Sequence, residues 1–369
     1  MLQIKNLTIT HKKDLRVILE DFRLVLNAGD KAVLIGEEGN GKSTLLKWIY
    51  DPLLVEAYAE CEGERIAGGE SFGYLPQEMP GEDKEKTVYE FFAGEEAFFD
   101  KTPKELSELS AKVHLGTEFF YREQRMGSLS GGEKIKAQLM RIFLKYPTVL
   151  LLDEPSNDID IDSLEWLEKV IDGWKGIVLF ISHDETLIEH TVNMVIHLEQ
   201  IKRKTKSRYT VAKMPYQQYV KERLQRFEKQ EQVAENERRE KKIRDEKFQR
   251  LQQSVQYTLE NTKDSTAGRL LKKKMHAVKA LEKRFEREDE NMTEMPEWEE
   301  AIFFKLGDKN DPLPAGKTVL DFSLERLMTP DGERILSEGI LLRVRGPEKI
   351  CIIGDNGAGK TTLLRMIAS

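Results

Sequence analysis

The 369-residue chain reads as an α/β protein with more than one domain, on three observations. Ala32–Ile35, Val149–Leu152 and Ile177–Ile181 are short apolar runs without alternation, the pattern of strands buried on both faces. The first two lead into amphipathic helical patterns, with Leu45, Leu46 and Ile49 after one and Leu164, Leu167 and Ile171 after the other. A charged, helix-prone stretch then separates this region from a second copy of its opening pattern near the C-terminal end.

Composition narrows the classes. Charged residues make up 33% of the chain, yet the net charge is only −7, so any basic surface has to be local. Cys61 and Cys351 are the only cysteines, too few for a disulfide framework or a thiolate cluster, and a reducing cytoplasmic setting is the expectation. No apolar run approaches the roughly 20 residues of a membrane span, and Leu2–Lys5 opens on a strand pattern rather than a leader.

Taken in order, residues 1–35 alternate apolar and polar (Leu2/Ile4, Val17/Leu19, Phe22/Leu24/Leu26), as a half-solvated antiparallel sheet does. From Gly36 the chain reads Gly-Glu-Glu-Gly-Asn-Gly-Lys-Ser-Thr, the spacing of a phosphate-binding loop. Gly36, Gly39 and Gly41 let the backbone turn so that successive N–H groups of residues 36–44, Glu37, Glu38 and Asn40 among them, face one concavity. Lys42 reaches the β- and γ-phosphates, Ser43 suits Mg²⁺, and Thr44 opens a helix whose positive end faces the anion. A nucleoside triphosphate with Mg²⁺ is therefore the expected ligand.

Residues 52–76 read as strands and turns ending in Tyr74-Leu-Pro-Gln77, and Thr87–Arg125 as mostly helical. Leu129-Ser-Gly-Gly-Glu133 opens a helix whose Ile135, Leu139 and Ile142 share a face. Asp153 and Glu154 end one buried strand, and Ser182-His183 follows the next. In order and spacing these motifs resemble an ABC-type ATPase domain over residues 1 to about 200. The resemblance implies an antiparallel β subdomain, a mainly parallel core sheet and a helical subdomain. It also assigns roles: Asp153 to Mg²⁺, Glu154 to general base for the attacking water, Gln77 to sensing Mg²⁺ and γ-phosphate, and His183 to steadying that phosphate. Ser130, Gly131, Gly132 and Glu133 would bind the γ-phosphate of a facing domain at a helix N-terminus. Two departures stand out. His11 occupies the position where the family places an aromatic ring against adenine, and Asp158 stands in the loop after Glu154 where a histidine is frequent.

Residues 194–212 read as two strands around Lys204–Ser207. Tyr216–Leu259 is helix-prone with a narrow apolar stripe (Val220, Phe227, Ala234, Phe248, Leu251, Val255). A break is expected at Asn261–Gly268, followed by a second helix with Leu271, Met275, Val278, Leu281 and Phe285 on one face, which together predict an antiparallel, coiled-coil-like hairpin. Lys263, Arg269, Lys272, Lys273, Lys274, Lys279, Lys283 and Arg284 crowd its turn and outnumber Glu260, Asp264 and Glu282. After the acidic Glu286–Glu300, residues 319–353 repeat the opening strand pattern, with a turn at Pro330-Asp-Gly332 and a strand at Ile350–Ile353. A second phosphate loop follows at Gly354, Asp355, Asn356, Gly357, Ala358, Gly359, Lys360, Thr361 and Thr362, with Thr361 as its metal-facing hydroxyl.

Two such modules joined by a charged hairpin resemble the ABC-F family of ribosome-associated ATPases. The resemblance implies a first ATPase domain over 1–203, a hairpin linker over 204–303 and part of a second ATPase domain over 304–369. It implies a cytoplasmic partner, the ribosome, with the hairpin near tRNA and large-subunit rRNA, in a translation factor or an antibiotic-resistance protein. The competing expectations are the ATPase subunit of a membrane transporter, a coiled-coil chromosome-maintenance or DNA-repair ATPase, and an inert product. ABC sites are composite, and the second module carries no signature or carboxylate pair. A fragment of a longer protein is expected, or else an ATP-dependent head-to-tail pair of identical chains.

Overall fold

The computed structural model describes every residue except 202–205, 262–264, 291, 294, 296–316, 329–334, 347, 349, 355–357 and 369; side chains of 259–272, 286 and 290 are also left undescribed. Lys204, the Pro330–Gly332 turn, Asp355, Asn356 and Gly357 lie outside the described residues, as do the side chains of Arg269 and Lys272. Two compact units emerge, Met1–Tyr216 together with Glu299–Ser369, and Gln217–Trp298.

In the first unit, β1 (Leu2–His11), β2 (Val17–Leu26), β3 (Lys31–Ile35) and α1 (Lys42–Tyr50) run in order, followed by a 3₁₀ turn and β4 (Ala59–Ile66). β1 pairs antiparallel with both β2 and β4, and their alternating inward residues, Leu2, Ile4, Leu7 and Ile9 with Phe22, Leu24 and Leu26, form one side of the core. β5 (Phe72–Leu75) leads into the helical region: α2 (Gly81–Glu85), α3 (Val88–Ala93), α4 (Glu96–Phe99) and α5 (Pro103–Lys112), then two 3₁₀ turns. The expected helical stretch is thus broken into short pieces, punctuated at Gly94 and at the Thr102–Pro103 cap. Capping boxes start α3 at Thr87/Glu90 and α5 at Thr102/Glu105. Phe92, Phe98 and Phe120 close this subdomain in edge-to-face and stacked pairs.

The chain returns through α6 (Gly131–Phe143), β6 (Val149–Asp153), α7 (Ile161–Gly173), β7 (Ile177–Ile181), α8 (Glu185–Thr191), β8 (Met194–Ile201) and β9 (Lys206–Ala212). The core sheet has the order β5-β6-β7-β3-β8-β9, parallel except for β9. Every residue of β6 and β7 is buried, as strands covered on both faces require. Lys213 pairs with the buried Asp30, and Arg208 grips Glu199 through two bonds, of 2.9 and 2.8 Å, which anchors the antiparallel edge.

The second unit is a helical hairpin, α9 (Tyr216–Asn261) and α10 (Ser265–Glu290). α10 begins before Gly268, so that glycine lies inside a helix rather than in the expected break; an interior glycine costs only about 1 kcal/mol relative to alanine. Phe248 meets Phe285 edge-on at 5.6 Å, Arg244 binds Asp289 and Glu288, and Glu237 accepts from Thr293, a register that only antiparallel helices produce.

After the hairpin come β10 (Thr318–Met328), β11 (Ile335–Arg345) and α11 (Lys360–Ala368), with β10 and β11 paired antiparallel like β1 and β2. The strand expected at Ile350–Ile353 does not form; Ile350 is 49% and Ile353 71% exposed. A strand of the buried parallel kind needs neighbours on both edges, and among the described residues nothing pairs with this one.

Candidate functional site

The strand order makes the site. β5, β6, β7 and β3 are adjacent, and each delivers one chemically distinct group from its carboxyl end: Gln77, Asp153 with Glu154, His183, and the glycine loop. The carboxyl edge of a parallel sheet is where such folds hold ligands. There a cavity of about 600 Å³ is lined by Glu38, Gly39, Gly41, Lys42, Ser43, Thr44, Gln77, Glu154, Asn157 and His183.

The loop has the conformation its glycines permit. Gly36 (φ 142°) passes so close to β8 that a Cβ would sit 2.2 Å from the Leu198 carbonyl oxygen. Gly41 (φ 85°) leaves only 2.1 Å to Ile18 Cγ2. Asn40 Nδ2 donates to Leu198 O at 3.0 Å, so its amide braces the loop. Lys42 is 8% exposed and its Nζ donates to the carbonyls of Gly36 and Glu37 at 2.7 and 3.1 Å.

Ser43 Oγ donates to Asp153 Oδ1 at 3.0 Å, joining residues 110 positions apart. Tyr74 OH stands 3.5 Å from Asp153 Oδ2. Glu154, just past β6, has φ 51° in the left-handed region and is 6% exposed. Its Oε1 faces His183 Nε2 at 3.2 Å, while Oε2 is buried without a hydrogen-bond partner in the protein. Ser156 and Ser182 share a 2.9 Å hydroxyl contact that ties the loops after β6 and β7 together. Burial pushes both carboxyls above the usual carboxylate range; for Glu154 the nearby His183 and Lys42 charges oppose that push.

A carboxyl raised in this way contributes stability fully below its unfolded value of about 4.3 and loses it as pH rises through the folded value. At neutral pH Glu154 is therefore a net cost to the free protein. Glu154→Gln should melt higher than the parent at pH 7.5 without nucleotide, with the difference shrinking toward pH 4. Thermal unfolding followed by circular dichroism checks this.

The signature residues lie elsewhere. Ser130 caps α6 and forms a reciprocal box with Glu133, whose carboxylate accepts from the Ser130 N–H and hydroxyl at 3.1 and 3.0 Å. Gly132 packs on α7, where a Cβ would meet Ser163 Oγ at 2.2 Å. None of Ser130–Glu133 lines the cavity. The described ends of the second loop match those of the first: Lys360 Nζ donates to Gly354 O at 2.6 Å, six residues back, as Lys42 does to Gly36. Gly359 has φ 91° beside 85° at Gly41, and Lys360, Thr361 and Thr362 open α11.

Sequence reasoning named His11 at the far end of the cavity but missed Arg16 and Tyr58 beside it. His11, Arg16 and Tyr58 line it together with the phosphate loop. His11 Nδ1 is held by Asp14 Oδ1 at 2.7 Å, Arg16 Nη2 donates to Gly39 O at 3.1 Å, and the Tyr58 carbonyl accepts from Lys12 N at 2.9 Å. Tyr58 belongs to the segment before β4, and no motif marks it; only the β1–β4 register, which pairs His11 with Ala59, puts it beside the first strand.

Residues 19–157 match the protein family described as ABC transporter. The chain is 28% identical to the energy-dependent translational throttle protein EttA of Haemophilus influenzae, over 96% of this chain and 63% of that protein. Its likeness to EttA of Escherichia coli K12 is 29% over the same shares. The ATP-binding protein Uup of Escherichia coli K12 is 34% identical over 47% of this chain and 27% of its own length. This chain thus spans less than two thirds of the EttA proteins, and the likeness to them covers 96% of this chain. The fold described above is that of an ABC-type ATPase domain, which residues 19–157 match, and the chain as a whole is similar to EttA and, over about half its length, to Uup.

Proposed function

We propose that this protein is an ATP-hydrolysing ABC-F protein that acts on the ribosome in the cytoplasm. The observation that carries the ATPase half is the convergence of four adjacent strand ends on one cavity that also holds the glycine loop. The ribosomal half is supported by the likeness to a translational throttle protein, which extends across the hairpin.

The residues fit ATP and Mg²⁺. Ser43 Oγ and Asp153 are hard oxygen donors already 3.0 Å apart, the donor type Mg²⁺ selects, directly or through water. The ion would neutralise charge on the β- and γ-phosphates. Lys42 gives up its two carbonyl partners for phosphate oxygens, alongside the loop N–H groups. Glu154 accepts a proton from the attacking water, and its raised pKa makes it a stronger base than an exposed carboxylate. Its unpartnered Oε2 is the oxygen placed to do so, while Oε1 keeps His183 in position. Gln77 comes from the end of β5 to the same cavity and would sense the metal and the γ-phosphate. His11 and Tyr58 supply ring faces for the base.

The family's composite site needs a signature from a facing module. Two copies of the first module, head to tail, would bring Ser130–Glu133 of each to the phosphate loop of the other, a closed two-fold arrangement.

On the hairpin, Lys273, Lys274, Lys279 and Lys283 are exposed on α10. Phosphate contacts by such lysines make binding salt-dependent. Changing Lys273, Lys274 and Lys279 to Ala should weaken ribosome binding and flatten the slope of log K against log salt by about 0.7–0.9 for each phosphate no longer neutralised. Filter binding across a salt series measures it; an unchanged slope would make these lysines a solvated helix face and nothing more.

A further inference from the structure

The nucleotide cavity lies beyond the carboxyl ends of β6 and β7. At their amino ends, one strand length or roughly 16 Å away for five residues, a second cavity of about 750 Å³ opens, against Thr148, Gly176 and Ile177. It shares no lining residue with the nucleotide cavity. Its volume falls within the range of about 300–1,000 Å³ typical of small-molecule sites.

Four aromatic rings form its walls: Phe143 from the end of α6, Tyr146 just after it, Trp166 on α7 and Trp174 just beyond α7. Their placement is fixed. Phe143 and Trp174 stack at 5.4 Å with 23° between planes, and Trp166 Nε1 donates to Lys112 O at 2.8 Å. Tyr146 is 64% exposed, with Lys101 Nζ over its ring at 4.1 Å. Trp166 is buried and Phe143 and Trp174 are half-buried, so the rings form a fixed apolar wall with Tyr146 at its mouth, the lining that small-molecule sites favour.

Among the residues lining this mouth, lysines outnumber carboxylates three to one. Lys112, Lys169 and Lys175 line the cavity and are exposed. Three nearby carboxylates are already engaged: Glu70 by the Met1 amine and the Thr148 hydroxyl, Asp172 by Lys31 at 2.9 Å, and Glu168 by His190 at 3.2 Å. Three ammonium groups therefore stand at the rim of an aromatic pocket with those acids committed elsewhere.

We propose that this cavity is a binding site for a small aromatic anion, its flat ring system against Tyr146 and the open side of the stacked Phe143–Trp174 pair and its negative group among Lys112, Lys169 and Lys175. The ring faces select a planar apolar body, and the lysines select against a neutral or cationic one.

Two dyes with one ring system test it on the full chain: 8-anilinonaphthalene-1-sulfonate, and N-phenyl-1-naphthylamine, which lacks the sulfonate. Fluorescence titration should give one site per chain, with the sulfonate dye about tenfold tighter. The triple variant Lys112→Gln, Lys169→Gln, Lys175→Gln should bring the sulfonate dye to the affinity of the neutral one and leave the neutral dye unchanged. Tyr146→Ala, an exposed position, should weaken both. Saturating MgATP should displace neither, so the result is read independently of the nucleotide site. Equal affinity of the two dyes in the parent, insensitivity to the lysine changes, or displacement by MgATP would each overturn the proposal.

Discussion

Glu154→Gln should bind ATP as tightly as the parent and lose hydrolysis by about 10²–10⁴-fold, the range that a positioned general base supplies. The substitution keeps the shape and removes the proton acceptor. Lys42, Ser43 and Asp153, which meet the phosphates and the metal in this account, do not depend on the Glu154 charge for their contacts. Because the γ-phosphate is the shared ligand of two facing modules in the proposed pair, the same variant should accumulate as a dimer with ATP and dissociate with ADP. Calorimetry and phosphate release on one preparation separate binding from turnover, and sedimentation reads the assembly. A Glu154→Gln protein that hydrolyses ATP at the parent rate would remove Glu154 from the role of base.

Lys42→Ala should weaken ATP binding roughly 10- to 150-fold, from the loss of about 1.5–3 kcal/mol for hydrogen bonds to a charged group. Lys42 is almost fully buried and its ammonium already donates to two loop carbonyls in the free protein, so the side chain is aimed into the loop before nucleotide arrives. The substitution leaves no buried charge behind. It frees two carbonyls that the mobile water of an open cavity can reach, so the fold should survive. Lys360→Ala in the second loop is the matched comparison, since Lys360 makes the same bond to Gly354. Isothermal titration of the two variants ranks the loops.

The candidate site was legible because its residues stand at fixed spacing after strands that announce themselves. Val149–Asp153 and Ile177–Ile181 are apolar up to their ends, so those ends, and with them Asp153, Glu154 and His183, could be located without a partner. Gln77 and the loop from Gly36 to Thr44 share that logic. What escaped depends on contacts between distant segments. Tyr58 reaches the cavity only through the register of β4 on β1, and Ser43 meets Asp153 across 110 positions. The four rings of the second cavity, Phe143, Tyr146, Trp166 and Trp174, have no shared spacing, because they come from two helices and the turns after them. Ile350–Ile353 shows the reverse error. An apolar run carries strand propensity, but a parallel strand exists only with the neighbours it pairs to. Near Gly268 the local signal for a break was outvoted by the helix formers around it.

The most direct measurement is pelleting of the full chain with purified ribosomes and, separately, with inverted membrane vesicles, using Glu154→Gln with ATP, with ADP and without nucleotide. The account predicts that Glu154→Gln pellets with ribosomes when ATP is present, that ADP or the added Lys42→Ala change releases it, and that vesicles carry none of it down. Pelleting with vesicles, or ribosome binding indifferent to both nucleotide and Lys42, would contradict it.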